Sequence, residues 1–262
     1  MKLTFKKYQG TGNDFIIIDN REHLYDLLDV AYLCHPKFGI GGDGLMLLQN
    51  KVGYDFEMVY YNSDGNVSTM CGNGGRCIVD FAKRLNVFEG HTTNFKAVDG
   101  PHDAIWDDDF VELKMQDVSQ ISRRGRDYVL NTGSPHYVVF ASAIDTMEIV
   151  DEATLIRYNH EFSEEGINVN FVEILNGDDQ LQILVRTYER GVEDETLSCG
   201  TGVTASAIAL SEQLALADGD YTIGIQTPGG NLVVKFHKEA GAYTNVWLCG
   251  PATEVFTGEI EL

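Results

Sequence analysis

The sequence predicts an α+β fold of two pseudo-symmetric domains. Each is expected to be a mostly antiparallel sheet wrapped on a central helix, with the active site in the cleft between them. Three observations lead there. β-rich runs bounded by Gly, Asn, Asp or Pro dominate the 262 residues, and helical patterns are few. Two of those patterns, 73–87 and 201–216, are long, and the second is apolar on most faces, which places it in a core. Each of the two is opened by the same motif, Cys71-Gly-Asn-Gly and Cys199-Gly-Thr-Gly, about half the chain apart. A chain of this length is long for one domain and fits two modest ones.

In order, residues 2–8 and 14–19 read as strands, and 24–35 (LYDLLDVAYLCH) as a short amphipathic helix stopped by Pro36. The run 55–61 is a strand leading to the first Cys-Gly motif and the helix 73–87, and 110–115 is a further strand. The polar stretch Gln116–Asp127, with Arg123, Arg124 and Arg126, is the expected junction, dividing 1–117 from 118–249. Strands over 136–140, 167–174 and 180–188 lead to the second Cys-Gly motif and the helix 201–216. Strands over 221–226, 231–237 and 253–256 follow. The repeat extends upstream. Tyr60 and Tyr188 precede the two cysteines by the same distance, and Gly12-Asn13-Asp14-Phe15 is echoed by Gly166-Ile167-Asn168 with Phe171.

Composition narrows the function classes. Nineteen Lys and Arg against 40 Asp and Glu give a net charge of −21, a field that repels nucleic acid and anionic membranes. Clusters such as Trp106-Asp107-Asp108-Asp109 and Gly177-Asp178-Asp179 read as solubilising surface. No apolar run reaches the ~20 residues of a membrane helix, and the first residues lack an apolar signal core, so a cytoplasmic protein is expected. Five cysteines, an odd number with no C-x-x-C spacing, are no disulfide framework. The histidines stand outside zinc-ligand spacing, so no metal is expected.

A cysteine at a helix N-terminus feels the positive end of the peptide dipoles, which lowers its pKa towards a working base. The glycines of Cys-Gly-x-Gly let backbone amides approach an anion such as a carboxylate. Alone, such a cysteine is more often a small buried hydrophobe. The duplication changes the weighing. With both helix starts facing one cleft, an α-carbon between two thiols can lose its proton to one and regain a proton from the other, with inversion. The amides stabilise the carboxylate as it takes on enediolate character. This chemistry needs neither pyridoxal phosphate nor metal, and no cofactor is expected. Cys34 and Cys77, among apolar neighbours, read as core, and Cys249 is given no role.

The chain resembles the diaminopimelate epimerases. The segments that carry the likeness are GTGNDF (10–15), GIGGDGLM (39–46), NSDGNVSTMCGNGGRC (62–77), TGSPHYV (132–138), GINVNF (166–171), YERGVEDETLSCGTGVTA (188–205), TPGGNLVV (227–234) and GPATEVFTGEI (250–260). The resemblance implies interconversion of L,L- and meso-diaminopimelate in lysine and peptidoglycan-precursor biosynthesis, a homodimer, and a last strand (250–262) that joins the first domain. It makes Cys71 the proton donor and Cys199 the acceptor for the L,L substrate. It assigns substrate binding to Asn13, Asn62, Gly72, Asn73, Asn168, Glu189, Arg190, Gly200 and Thr201, and tuning of a thiol to His136 and Glu189. Arg190 suits a carboxylate and Glu189 an ammonium. Three positions depart from the common pattern: Ser134 replaces an Asn, Gly44 replaces a Gln of some members, and GVEDETLS between Arg190 and Cys199 is one residue longer. The rivals are another cofactor-independent racemase of the proline racemase kind, a silent amino-acid-binding protein, and a thiol redox sensor.

Overall fold

The computed structural model describes residues 2–25, 27–108, 110–175 and 180–262. The acidic stretch Gly177-Asp178-Asp179, Asp109 of the other acidic cluster, and Asp26 within the expected first helix lie outside those residues. The first half runs β1 (Lys2–Gly10), β2 (Asn13–Asp19), α1 (Val30–Cys34), β3 (Gly44–Gln49), β4 (Phe56–Asn62), α2 (Gly72–Arg84), β5 (Thr92–Ala97), β6 (Gly100–Asp107) and β7 (Phe110–Lys114). The second runs β8 (Ile121–Arg124), β9 (Asp127–Asn131), β10 (Pro135–Phe140), α3 (Ile149–Arg157), β11 (Asn168–Leu175), β12 (Gln182–Glu189), β13 (Asp194–Thr196), α4 (Gly200–Gln213), β14 (Gly219–Thr227), β15 (Gly230–Glu239) and β16 (Ala242–Gly250). β17 (Thr253–Glu261) ends the chain. The chain divides into two compact units, Met1–Leu113 with Gly250–Leu262, and Lys114–Cys249.

The units share one strand plan. Among the described residues, the first is ordered β17-β1-β2-β3-β4-β5-β6-β7. The second is ordered β8-β9-β10-β11-β12-β14-β15-β16, with β13 added at the end of β12. In both, the third and fourth strands are parallel, as are the fifth and sixth, and the other neighbours are antiparallel. Parallel neighbours need a crossover, and a helix supplies each one: α1 and α2 in the first unit, α3 and α4 in the second.

The sheets close on their central helices. α2 touches β1, β2, β3, β6 and β17, while α4 touches β9, β10, β11, β12, β14 and β15. α2 is buried without a break from Gly72 to Ala82, and α4 from Gly202 to Ser211. A helix buried all round must satisfy its polar side chains within the protein. Thr204 and Ser206 donate to the carbonyls one turn back, at 2.9 and 2.8 Å. In α2 the Asp80 carboxylate accepts from Tyr8 Oη (2.9 Å), Arg84 Nε (2.6 Å) and Trp106 Nε1 (2.9 Å).

Two expectations need correction. The helix expected over 24–35 forms only at Val30–Cys34. Asp29 caps it by accepting from Tyr32 N (3.0 Å), and Leu24 and Leu27 point to solvent, so no continuous apolar face holds a longer helix. The upstream echo is also shifted. The first parallel pair is Phe15↔Gly44 in one unit and His136↔Asn168 in the other. Counting from these, Thr11-Gly12-Asn13 corresponds to Thr132-Gly133-Ser134, and Tyr61, not Tyr60, corresponds to Tyr188. The burial patterns of β4 and β12 agree in this register over 56–60 and 183–187. The longer segment between β12 and α4, which holds β13, is what displaces a comparison counted back from the cysteines.

Candidate active site

The β1–β2 connection sets up the first cysteine. Thr11 (φ 50°) and Gly12 (φ 87°) form a two-residue turn between paired Gly10 and Asn13, with the left-handed backbone that tight hairpins of this twist need. The turn delivers Asn13 to the start of α2, where Cys71 is the N-cap residue in extended backbone. Cys71 Sγ–H donates to Asn13 Oδ1 at 3.6 Å. The amide cannot flip freely, because Asn13 Nδ2 donates to Asp43 Oδ2 at 2.5 Å. Asp43 also accepts from Asp14 N (3.1 Å), and its loop is tied down by Lys7, whose ammonium pairs with Asp14 (2.5 Å) and donates to the Gly41 carbonyl.

Gly72 and Asn73 follow in the first turn, both buried. The fully buried Arg76 guanidinium holds them. It donates to Gly72 O (3.3 Å), Asn73 Oδ1 (3.0 Å) and Thr11 Oγ1 (3.2 Å), and its Nε donates to Pro251 O (3.4 Å). Asn62 stands at the exposed end of β4, where its N–H and C=O close a turn with Asn66 and Gly65 (both 2.9 Å). At Gly44, an added Cβ would lie 2.4 Å from the Tyr60 ring and 2.7 Å from Tyr61 O. The Tyr60 ring fills the space that a side chain at this position would need.

In the second unit Cys199 is the N-cap residue of α4, again extended, and nearly buried. Thr201 Oγ1 lies 3.6 Å from Cys199 Sγ and 2.9 Å from His136 Nε2. His136 is wholly buried. Burial first, and the Arg190 charge second, push its pKa down from 6.5 to about 3, so the ring is neutral at pH 7. Thr132 Oγ1 donates to Thr201 O (2.8 Å), as Thr11 Oγ1 reaches Asn73 Oδ1 (3.3 Å) in the first unit.

Asn168 is buried, and its amide is engaged by the protein. Nδ2 donates to Ser134 Oγ and Pro135 O (both 2.9 Å), and Oδ1 accepts from Arg190 N (2.8 Å). Asn168 thus anchors the backbone of Arg190. The guanidinium donates to Glu165 O (2.9 Å) and Ser134 Oγ (3.5 Å), and among the described residues no carboxylate pairs with it. Glu189 accepts from Thr196 Oγ1 (3.1 Å). The longer loop after it is stapled by Glu193, which accepts from Gly191 N (3.1 Å), Tyr158 Oη (2.8 Å), Tyr188 Oη (3.0 Å) and Arg157 Nη2 (3.1 Å). Burial opposes its charge, but these donors together hold its carboxyl down at about 2.

The remaining thiols are core groups. Burial pushes Cys34 up to about 11 and Cys77 higher still, and Cys249 is buried. Among the described residues no cluster of His, Cys, Asp and Glu could hold a metal, and no helix is long and apolar enough to cross a membrane. Sequence reasoning missed Asp43, Arg76, Asn170 and Thr187. The signal was present for two of them. Arg76 shares a polar helical stripe with Asn73 and Asp80, and Asn170 alternates with Asn168 among the apolar residues of 167–172.

By fold the chain falls in a class that includes a Bacillus anthracis phenazine biosynthesis protein of the PhzF family (TM-score 0.77, 11% identity, all of both chains covered). The class also includes a hydroxyproline epimerase from Agrobacterium vitis (TM-score 0.68, 12% identity, 100% of this chain and 93% of that one). At these identities the likeness is one of fold. The family comes from sequence. The profile of diaminopimelate epimerase matches residues 5–121 and 128–255. The diaminopimelate epimerase of Flavobacterium psychrophilum is 50% identical over 254 residues, covering 95% of this chain and 97% of that protein. The chain belongs to the diaminopimelate epimerase family, a family of isomerases.

Proposed function

We propose that the chain interconverts L,L- and meso-diaminopimelate without a cofactor, with Cys71 and Cys199 as its acid–base pair. The observation that carries this reading is the duplicated helix start: in each unit a cysteine in extended backbone caps a buried helix of the same strand plan. The reacting carboxylate is bound by backbone N–H groups at Gly72-Asn73 and Gly200-Thr201, where helix dipoles favour an anion. With L,L substrate, the Cys199 thiolate takes the α-proton and the Cys71 thiol delivers its own proton to the opposite face. Sulfur charge moves from Cys199 to Cys71, and the roles reverse for the meso substrate.

The distal amino-acid end is gripped by Arg190 at its carboxylate and Glu189 at its ammonium. The Arg190 guanidinium, which pairs with no carboxylate among the described residues, supports this assignment. Asn13 and Asn62 complete the contacts from the first unit. Asn168 supports recognition by anchoring Arg190 and Ser134. The reading includes a cytoplasmic homodimer, which cell fractionation and sedimentation velocity check.

The test is inversion in deuterated buffer under reducing conditions. Wild type is expected to invert one centre of L,L-diaminopimelate with solvent deuterium incorporated, and Cys71→Ala and Cys199→Ala each to lose inversion. Exchange of proline or hydroxyproline in place of diaminopimelate would move the reading to a racemase of another substrate.

A further inference from the structure

Cys199 lies at one end of a buried polar chain. Thr187 Oγ1 bonds to Asn170 Oδ1 (3.0 Å), Asn170 Nδ2 to His136 Nδ1 (3.1 Å), His136 Nε2 to Thr201 Oγ1 (2.9 Å), and Thr201 Oγ1 faces Cys199 Sγ (3.6 Å). His136, Asn170 and Thr187 are all buried. The direction of each bond can be worked out. Asn170 Nδ2 also donates to the Tyr137 carbonyl (3.2 Å), which can only accept, so the amide nitrogen must stand on that side. Asn170 then presents an N–H to His136 Nδ1. Nδ1 therefore carries no proton, and the neutral ring carries it on Nε2. Nε2–H donates to Thr201 Oγ1. The Thr201 hydroxyl, having accepted, is left to donate its own hydrogen, and Cys199 Sγ lies in front of it.

The other half of the molecule shows that the fold does not require this chain. By strand register, His136, Asn170 and Thr187 correspond to Phe15, Met46 and Tyr60. Those three are buried apolar or aromatic residues, with the Phe15 and Tyr60 rings 6.0 Å apart, edge to face. Gly74 and Gly202 mark the same place on the two helices. A Cβ on Gly74 would meet Met46 Sδ (3.3 Å) and Phe15 Cε1 (3.5 Å), and one on Gly202 would meet Asn170 Oδ1 (2.3 Å) and His136 Cε1 (3.3 Å). One site behind a helix start is thus packed with apolar and aromatic side chains in the first unit and with a hydrogen-bond chain in the second.

We propose that Thr187 and Asn170 are positioning residues that fix His136 as a neutral Nε2–H donor, so that Thr201 donates its hydroxyl hydrogen to Cys199 and holds that sulfur as the resting thiolate. His136 acts here as a lock on a proton, and neither as a base nor as a cation. Among the described residues the charge that acts on His136 is that of Arg190, just after β12, and the first turn of α4 has no acidic residue. The inference rests on the proposed role of Cys199.

The test reads the thiol and the ring directly. In the Cys71→Ala background, the rate of Cys199 alkylation by iodoacetamide is followed against pH by mass spectrometry. Thr201→Val keeps the backbone amide and removes the hydroxyl, and is expected to raise the Cys199 midpoint by about one to two pH units. Thr201→Ser is expected to restore it. Asn170→Met, which installs the first unit's residue, is expected to raise the midpoint while Thr201 is intact. Nitrogen-15 NMR of His136 is expected to show an Nε2–H ring in the otherwise wild-type protein. An Nδ1–H or charged ring at pH 7, or an unmoved midpoint in folded Thr201→Val, overturns the inference. Inversion activity surviving in Cys199→Ala would instead overturn the role of Cys199, so the two failures are distinguishable.

Discussion

The two helix starts share a strand plan and differ in what stands behind the cysteine. At α2, Cys71 meets the oxygen of an asparagine whose amide is pinned by Asp43, an arrangement that accepts a hydrogen and suits a protonated thiol. At α4, Cys199 meets the Thr201 hydroxyl that also bonds to His136, and in the direction proposed above this arrangement donates and suits a thiolate. Hydrogen bonding to the charged form favours it, and hydrogen bonding to the neutral form disfavours it. A duplicated scaffold can therefore carry two copies of one residue in opposite protonation states. The difference is made by neighbours at Asn13, Phe15 and Met46 in one unit and Ser134, His136 and Asn170 in the other.

The comparison breaks most severely when the second site is given the first site's packing. His136→Phe removes the donor to Thr201 and is expected to lower the rate of inversion about 100-fold or more, with a folded protein by circular dichroism. The same variant changes the pH dependence of stability. Because the folded His136 pKa is lowered to about 3 from 6.5, the unfolded chain binds the extra proton between those values. Wild-type stability therefore falls as pH drops from 6.5 towards 3, by a few kcal/mol from this residue. That part of the slope is expected to be missing from urea titrations of His136→Phe.

A smaller effect sharpens the first site. Asp43→Ala frees the Asn13 amide and is expected to slow inversion about tenfold in both directions, with kcat affected more than KM. Equal loss of kcat/KM in the two directions is required by the fixed equilibrium between the isomers. The smallest effect is expected at the segment before the helix that is one residue longer in the second unit than in the first. Glu193→Gln weakens the staple holding 190–196 to α3 by about 1 kcal/mol, discounted for partial exposure. The carboxylate's contribution is present above pH 4.5 and is lost as pH falls through about 2. Wild type and variant should therefore converge in thermal melts taken at the acid end.

Much of the site could be read from the chain alone. The cysteines, the glycines after them and the two buried helices have local signatures, since a helix start and an apolar periodicity are written in consecutive residues. The first helix was over-extended because Leu24 and Leu27 look like a helical face and in fact face solvent. The echo of Asn13 with Asn168 failed for a related reason: spelling alone cannot show that one half has an extra residue before its helix. In register, Asn13 answers to Ser134, and Asn168 holds the backbone that carries Arg190.

The sequence by itself determined that the protein is a duplication, that each half builds a sheet around one buried helix, and that a cysteine opens each helix. Those properties depend on residues near one another in the chain. Tertiary structure alone decided what each cysteine touches. Asn13 reaches Cys71 across 58 residues, and His136 reaches Thr201 across 65. Such contacts are set by strand register and by the close approach that Gly74 and Gly202 allow. In a strand, a shift of one residue turns every side chain to the opposite face, so the direction in which a proton is held is a property of the pairing and of no local motif.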